Sequence, residues 1–123
     1  MARPKKPRPA IVGALEIRLG AWGPIEVKRL FSGYALYRDG TIFGLVMRER
    51  VYFKTNDANR PDYVAAGMAP FQYTRSNGRV IATHHYEVPG FVFDDLDELT
   101  EWADKALAVT RGHGLQSDIR EVE

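Results

Sequence analysis

The chain has 123 residues, 45% of them hydrophobic, with no Cys and a net charge of +1. That length and apolar content suit one globular domain that buries a core without metal or disulfide, and the missing Cys excludes thiol catalysis, iron–sulfur clusters and Cys-based zinc sites. No apolar run approaches the roughly 20 residues of a membrane span, so a cytoplasmic protein with no membrane partner is expected.

Residues 1–9 carry Arg3, Lys5, Lys6 and Arg8 with no acid, leaving 13 basic and 16 acidic side chains, a charge of −3, on the rest. Pro4, Pro7 and Pro9 favour extended backbone. The segment reads as a disordered basic arm, either a solvated tail or a phosphate-binding element.

From Ala10, the apolar residues Ile11, Val12, Leu15 and Leu19 recur at helical spacing until Gly20 and Gly23-Pro24 stop the helix. Four β-rich runs follow at residues 25–31, 34–38, 41–48 and 51–55, and Asp39-Gly40 supplies the positive φ angles of a two-residue hairpin turn. Lys28 beside Arg29 spoils the alternation of the first run, which predicts a bulge or an irregular strand there.

Asn59, Pro61 and Asp62 mark the start of a short second helix, with Asn59 as its capping side chain, and Gly67 ends it. A second hairpin runs over residues 71–75 and 79–87 through Ser76-Asn77-Gly78, and Val88-Pro89-Gly90 closes it. The last helix spans about residues 94–110. Leu96, Leu99, Ala103, Ala106 and Leu107 form its apolar stripe with Trp102 at the edge, and Asp94, Asp95, Asp97 and Glu98 suit the positive end of its dipole. Past Arg111, Gly112 and Gly114 loosen the chain, so residues 10–111 form the domain and 112–123 a flexible tail.

A two-residue loop at Asp39-Gly40 pairs Tyr37 with Ile42, Leu36 with Phe43, Ala35 with Gly44 and Tyr34 with Leu45. Opposed residues share a face, so Tyr34, Leu36, Phe43, Leu45 and Met47 are expected under the helices. The other face then carries Ala35, Tyr37, Ile42, Gly44 and Val46. That face is apolar for a water-facing surface, and predicts either a trough that takes a protein partner or a second copy of the chain, or a surface covered by a helix or the arm.

Chemistry has little foothold. His84 and His85 are adjacent strand residues on opposite faces and cannot chelate one ion; pairing across Asn77-Gly78 puts His84 against Phe71 as a packing partner, with His85 facing the other way. The acids of the last helix lie on its solvent side, and no nucleophile elbow or phosphate-binding loop is present. No catalytic residue, metal or cofactor is therefore assigned. The candidate nucleic-acid residues are Arg3, Lys5, Lys6 and Arg8, with Lys28 and Arg29.

The ordered set Gly23-Pro24 to Phe31, Gly33 to Gly40, Phe43 to Val46, Tyr52 to Thr55, Asn59 to Tyr63, Gly67, Pro70 to Tyr73, Tyr86 to Pro89 and the closing helix through Leu107 resembles the N-terminal domain of the TfoX/Sxy family over residues 10–110. Leu30, Ser32 and Ala35 depart from it, where the family more often has Met, Gly and Gly. The resemblance implies an α+β fold: a two-layer domain with an antiparallel sheet of about five to six strands against about three helices, similar to secretion chaperones. It also implies a regulator of natural competence. Full-length members act with the cyclic-AMP receptor protein and carry a C-terminal helical domain that would start where this chain ends. The expected function is a non-enzymatic regulator or adaptor working by protein contact. The alternatives are a nucleic-acid-binding accessory factor using the basic arm, and a small-molecule sensor with a pocket among Tyr34, Tyr73, Tyr86 and His84.

Overall fold

The computed structural model describes residues 9–113. Helix α1 (Ala10–Arg18) begins at Pro9, whose carbonyl accepts the Val12 amide at 3.0 Å. Strands β1 (Glu26–Leu30), β2 (Gly33–Arg38), β3 (Thr41–Met47) and β4 (Arg50–Lys54) form an antiparallel meander. After α2 (Arg60–Ala65) comes the hairpin of β5 (Pro70–Thr74) and β6 (Val80–Glu87), and then α3 (Gly90–Asp94) and α4 (Leu96–His113). Among the described residues the sheet has six strands in the order β1-β2-β3-β4-β6-β5, antiparallel throughout, which makes the domain α+β.

The helices lie on one face. Val12, Leu15 and Leu19 from α1, Tyr63 from α2, Val92 from α3, and Leu99, Ala103, Ala106 and Leu107 from α4 bury against Leu36, Phe43, Val46, Val51 and Phe53. A stripe of this kind is what gives an amphipathic helix its stability, because tertiary burial outweighs intrinsic propensity.

The β2–β3 register differs from the simple hairpin expectation. Tyr37 pairs with Ile42 as expected, but a bulge then puts Leu36 opposite Gly44, Ala35 opposite Leu45 and Tyr34 opposite Val46. Phe43 is the extra residue. A bulge turns two consecutive side chains to one face: Phe43 packs its ring on Trp22 and Phe53, at centroid distances of 5.1 and 5.8 Å, and a Cβ on Gly44 would point at Leu36 and Phe53 on the same side. Every later residue of β3 changes face as a result. Val46 joins the helix-covered core, while Leu45 and Met47, expected there, join Ala35 and Ile42 in a second cluster on the other face.

Other expectations need correction too. β1 pairs with β2 without a break, so the irregularity sits in β3 rather than beside Lys28. Among the described residues there are four helices where about three were expected, because Pro89 opens α3 and Asp95 interrupts it: the Asp95 side chain accepts the Glu98 amide at 3.1 Å and so caps α4. Leu96, the first residue of α4, is consequently 45% exposed rather than part of the buried stripe. α4 also continues past Arg111 to His113. Asn59 precedes α2 but makes no capping bond; its oxygen accepts the Asn56 amide at 2.8 Å and its NH2 donates to the Lys54 carbonyl at 3.1 Å, pinning the turn that leaves β4.

Candidate interaction surfaces

The face of the sheet away from the helices carries the second apolar cluster. Ala35, Ile42, Leu45 and Met47 are its buried floor, and Leu30, Tyr37, Tyr52 and Phe71 pack around them half-buried. The registers explain the grouping, since Ala35 pairs with Leu45, which in turn pairs with Tyr52. Tyr52 and Phe71 meet edge to face at 5.4 Å, and the Lys28 ammonium lies 5.0 Å from the Tyr37 ring centre. The expected open trough of Ala35, Tyr37, Ile42, Gly44 and Val46 therefore does not exist. Gly44 and Val46 belong to the helix side, and Ala35 and Ile42 are buried within their own chain.

Lys28 and Arg29 do not converge on one surface. They are exposed, but as neighbours on a strand they take opposite faces, and the Arg29 guanidinium lies 5.9 Å over Tyr34 while Lys28 reaches Tyr37. Alternation along a strand already requires this separation. Arg3, Lys5, Lys6 and Arg8 lie outside the described residues.

The histidines exchange their expected roles. A register shift in the β5–β6 hairpin pairs Gln72 with Ala82 and Pro70 with Tyr86, which removes the expected match of His84 with Phe71. His84 is exposed, and His85 is wholly buried with neither ring nitrogen hydrogen-bonded. His85 pairs across the ladder with Lys54, itself buried, and its amide donates to the Thr83 hydroxyl oxygen at 3.2 Å. Loss of hydration, with smaller contributions from Lys54 and His84, pushes the imidazole pKa down to about 3. Among the described residues, no three His, Asp or Glu stand together as metal ligands could.

A shallow hollow of about 250 Å³ lies between the turn at residues 56–59 and the C-terminal half of α4, lined also by Lys105 and Val109. The side-chain oxygens of Asn56 and Asn59 accept amides of their own turn, and the Lys105 ammonium lies 3.5 Å from Glu101 and 3.8 Å from Asp62. The four residues expected to form a ligand pocket do not share a site. Tyr34 and Tyr86 pack on the helix-covered core, whereas Tyr73 pairs with Ile81 on the opposite face.

The sequence pattern of the TfoX N-terminal domain matches residues 18–110, from the end of α1 to the last turns of α4. The chain belongs to this family. The match spans the whole six-stranded sheet, α2, α3 and α4 as far as Thr110, and α1 apart from Arg18 lies ahead of it. A comparison with the curated proteins found no match.

What the TfoX N-terminal domain leaves uncovered is on its helix layer as much as on its sheet. Phe91 of α3 is 62% exposed and meets Trp102 of α4 edge to face at 6.4 Å, while the next residue, Val92, is wholly buried. Trp102 is held in turn by Tyr63, at 4.6 Å, and donates its indole N–H to Glu98 at 2.9 Å. Sequence reasoning misses this surface because Val88-Pro89-Gly90 reads as the end of a hairpin and leaves Phe91 without an element. Pro89 before an apolar run, followed by Asp95 three residues ahead of Glu98, is the signal that could have found it.

Proposed function

We propose that this TfoX N-terminal domain is a non-enzymatic regulator or adaptor in the cytoplasm, associated with competence or transcription, that acts by binding another protein. Family membership supports the regulatory side of this reading. The observation that carries the protein-contact side is Phe91, a large apolar side chain left mostly in water beside the half-buried Trp102. Exposed aromatic side chains of this kind are disproportionately the anchors of protein interfaces.

The test uses the full chain, immobilised in native cytoplasm, beside its Phe91→Ser variant. The expected outcome is a protein recovered in stoichiometric amount by the wild type and lost by the variant, with the variant's thermal unfolding unchanged. Retention of DNA that weakens with salt, with no protein recovered, would replace this reading by nucleic-acid binding.

A further inference from the structure

β1 is the outer strand of the sheet. Glu26 to Leu30 pair with β2 on one side, Glu26 with Tyr37 through Leu30 with Gly33, and among the described residues no strand lies on the other side. An edge strand offers a row of unpaired amides and carbonyls to any extended chain that reaches it, and proteins commonly blunt such edges with charged side chains, Pro, a bulge or a covering loop. β1 contains no Pro and its register with β2 is unbroken; its charges, Glu26, Lys28 and Arg29, are of both signs, so they repel an incoming strand only in registers that oppose like charges.

We propose that β1 pairs antiparallel with β1 of a second copy of this chain, about a two-fold axis passing through Val27. The register follows from geometry and charge. A two-fold axis perpendicular to a sheet preserves its faces, and residues directly opposed across a ladder share a face. The axis must then pass through a residue, which faces its own copy, and never between two residues. Centring it on Glu26, Lys28 or Arg29 sets like charges against each other, which is destabilising. Val27 is the uncharged centre left within the strand apart from Leu30 at its end. Centred there, Val27 meets Val27, Glu26 meets Lys28 twice, Ile25 meets Arg29 twice, and Pro24 meets Leu30 twice. Glu26 and Lys28 are exposed and lie on the same face of the sheet, as their pairing with Tyr37 and Ala35 requires, so both ion pairs form on one side of the joined sheet. The charges of Glu26 and Lys28 thus complement each other in the Val27-centred register, and closed two-fold pairing of this type is the commonest oligomer symmetry.

The edge pairing names one partner within the protein-contact reading and rests on that reading only for its regulatory meaning. The experiment is sedimentation equilibrium of the full chain, its Glu26→Lys and Lys28→Glu variants, and their equimolar mixture, with circular dichroism to show that each is folded. Each single swap converts both attractive pairs into like-charge contacts. Self-association of the wild type should weaken about tenfold in either variant. The mixture should regain it, because one variant then carries two positive charges at positions 26 and 28, the other carries two negative charges there, and both cross-strand contacts become attractive again. A wild type that stays monomeric at about 1 mM overturns the proposal, as does a dimer that neither swap weakens or a mixture no stronger than its components. If Phe91-dependent capture of another protein persists in a monomeric chain, the adaptor reading stands and only the edge pairing falls.

Discussion

Leu36 of β2 lies opposite Gly44 of β3, and the residue before it, Phe43, has no partner across the ladder. Gly44 is required by that bulge. A Cβ there would sit 2.6 Å from the Tyr52 carbonyl oxygen, 3.0 Å from a ring carbon of Phe53 and 3.2 Å from a methyl of Leu36. The first of these neighbours is backbone and cannot step aside.

Gly44→Ala is accordingly expected to destabilise the fold by about 1–3 kcal/mol, the usual cost of overpacking a filled core. Gly13 is the internal control, since it lies inside α1 and a Cβ there meets nothing within 4 Å. Gly13→Ala should stabilise by about 0.5–1 kcal/mol through helix propensity and a less flexible unfolded chain. Urea unfolding midpoints that move the same way for both substitutions would contradict the bulge assignment.

Along α4, Leu99 is wholly buried whereas Leu96 is 45% exposed and Glu101 faces solvent. Leu99→Ala should cost about 2–5 kcal/mol, and Leu96→Ala and Glu101→Ala should each change stability by less than about 0.5–1 kcal/mol. Thermal or denaturant unfolding of the three variants separates the observed face of the helix from one that includes Leu96.

His85 links stability to pH. In the folded chain its pKa is depressed to about 3, while in the unfolded chain it returns to about 6.5. Between those values the unfolded state binds the extra proton, so the contribution of a neutral His85 is fully present above about pH 6.5 and is lost as pH falls toward 3. The slope approaches about 1.4 kcal/mol per pH unit within that window. Relative to His85→Leu, the wild type should lose stability progressively below about pH 6.5 and keep a constant difference above it. Denaturant titrations giving parallel curves for the two proteins at all pH values would show that the imidazole is not buried as described.

The basic arm is expected to be dispensable for folding, because residues 1–8 offer no apolar anchor beyond Met1 and Ala2. The cut belongs before Pro9, whose carbonyl holds the first turn of α1 through the Val12 amide. Removing residues 1–8 should leave the unfolding temperature within a few degrees, and a larger fall would make the arm a structural element.

Local chemistry determined much of this protein. Asp39-Gly40 marks the β2–β3 turn because both residues take positive φ angles, 51° and 77°; the helical period of Leu99, Ala103, Ala106 and Leu107 defines the buried face of α4; and the ordered motifs lead to the family matched over residues 18–110. These signals lie in a few adjacent residues, where backbone sterics and periodicity act directly. Tertiary structure decided the rest. One extra residue at Phe43 reverses the face of Leu45, Val46 and Met47, because side chains alternate with a period of two, and that bulge exists because the Phe43 ring packs on Trp22 and Phe53, 21 residues back and 10 ahead in the chain. The choice of His85 over His84 for the interior depends likewise on a shift in the β5–β6 register and on pairing with distant β4. Long-range packing energy selects among registers that local sequence leaves nearly equivalent, so which residues face water was settled only when the sheet closed against its helices.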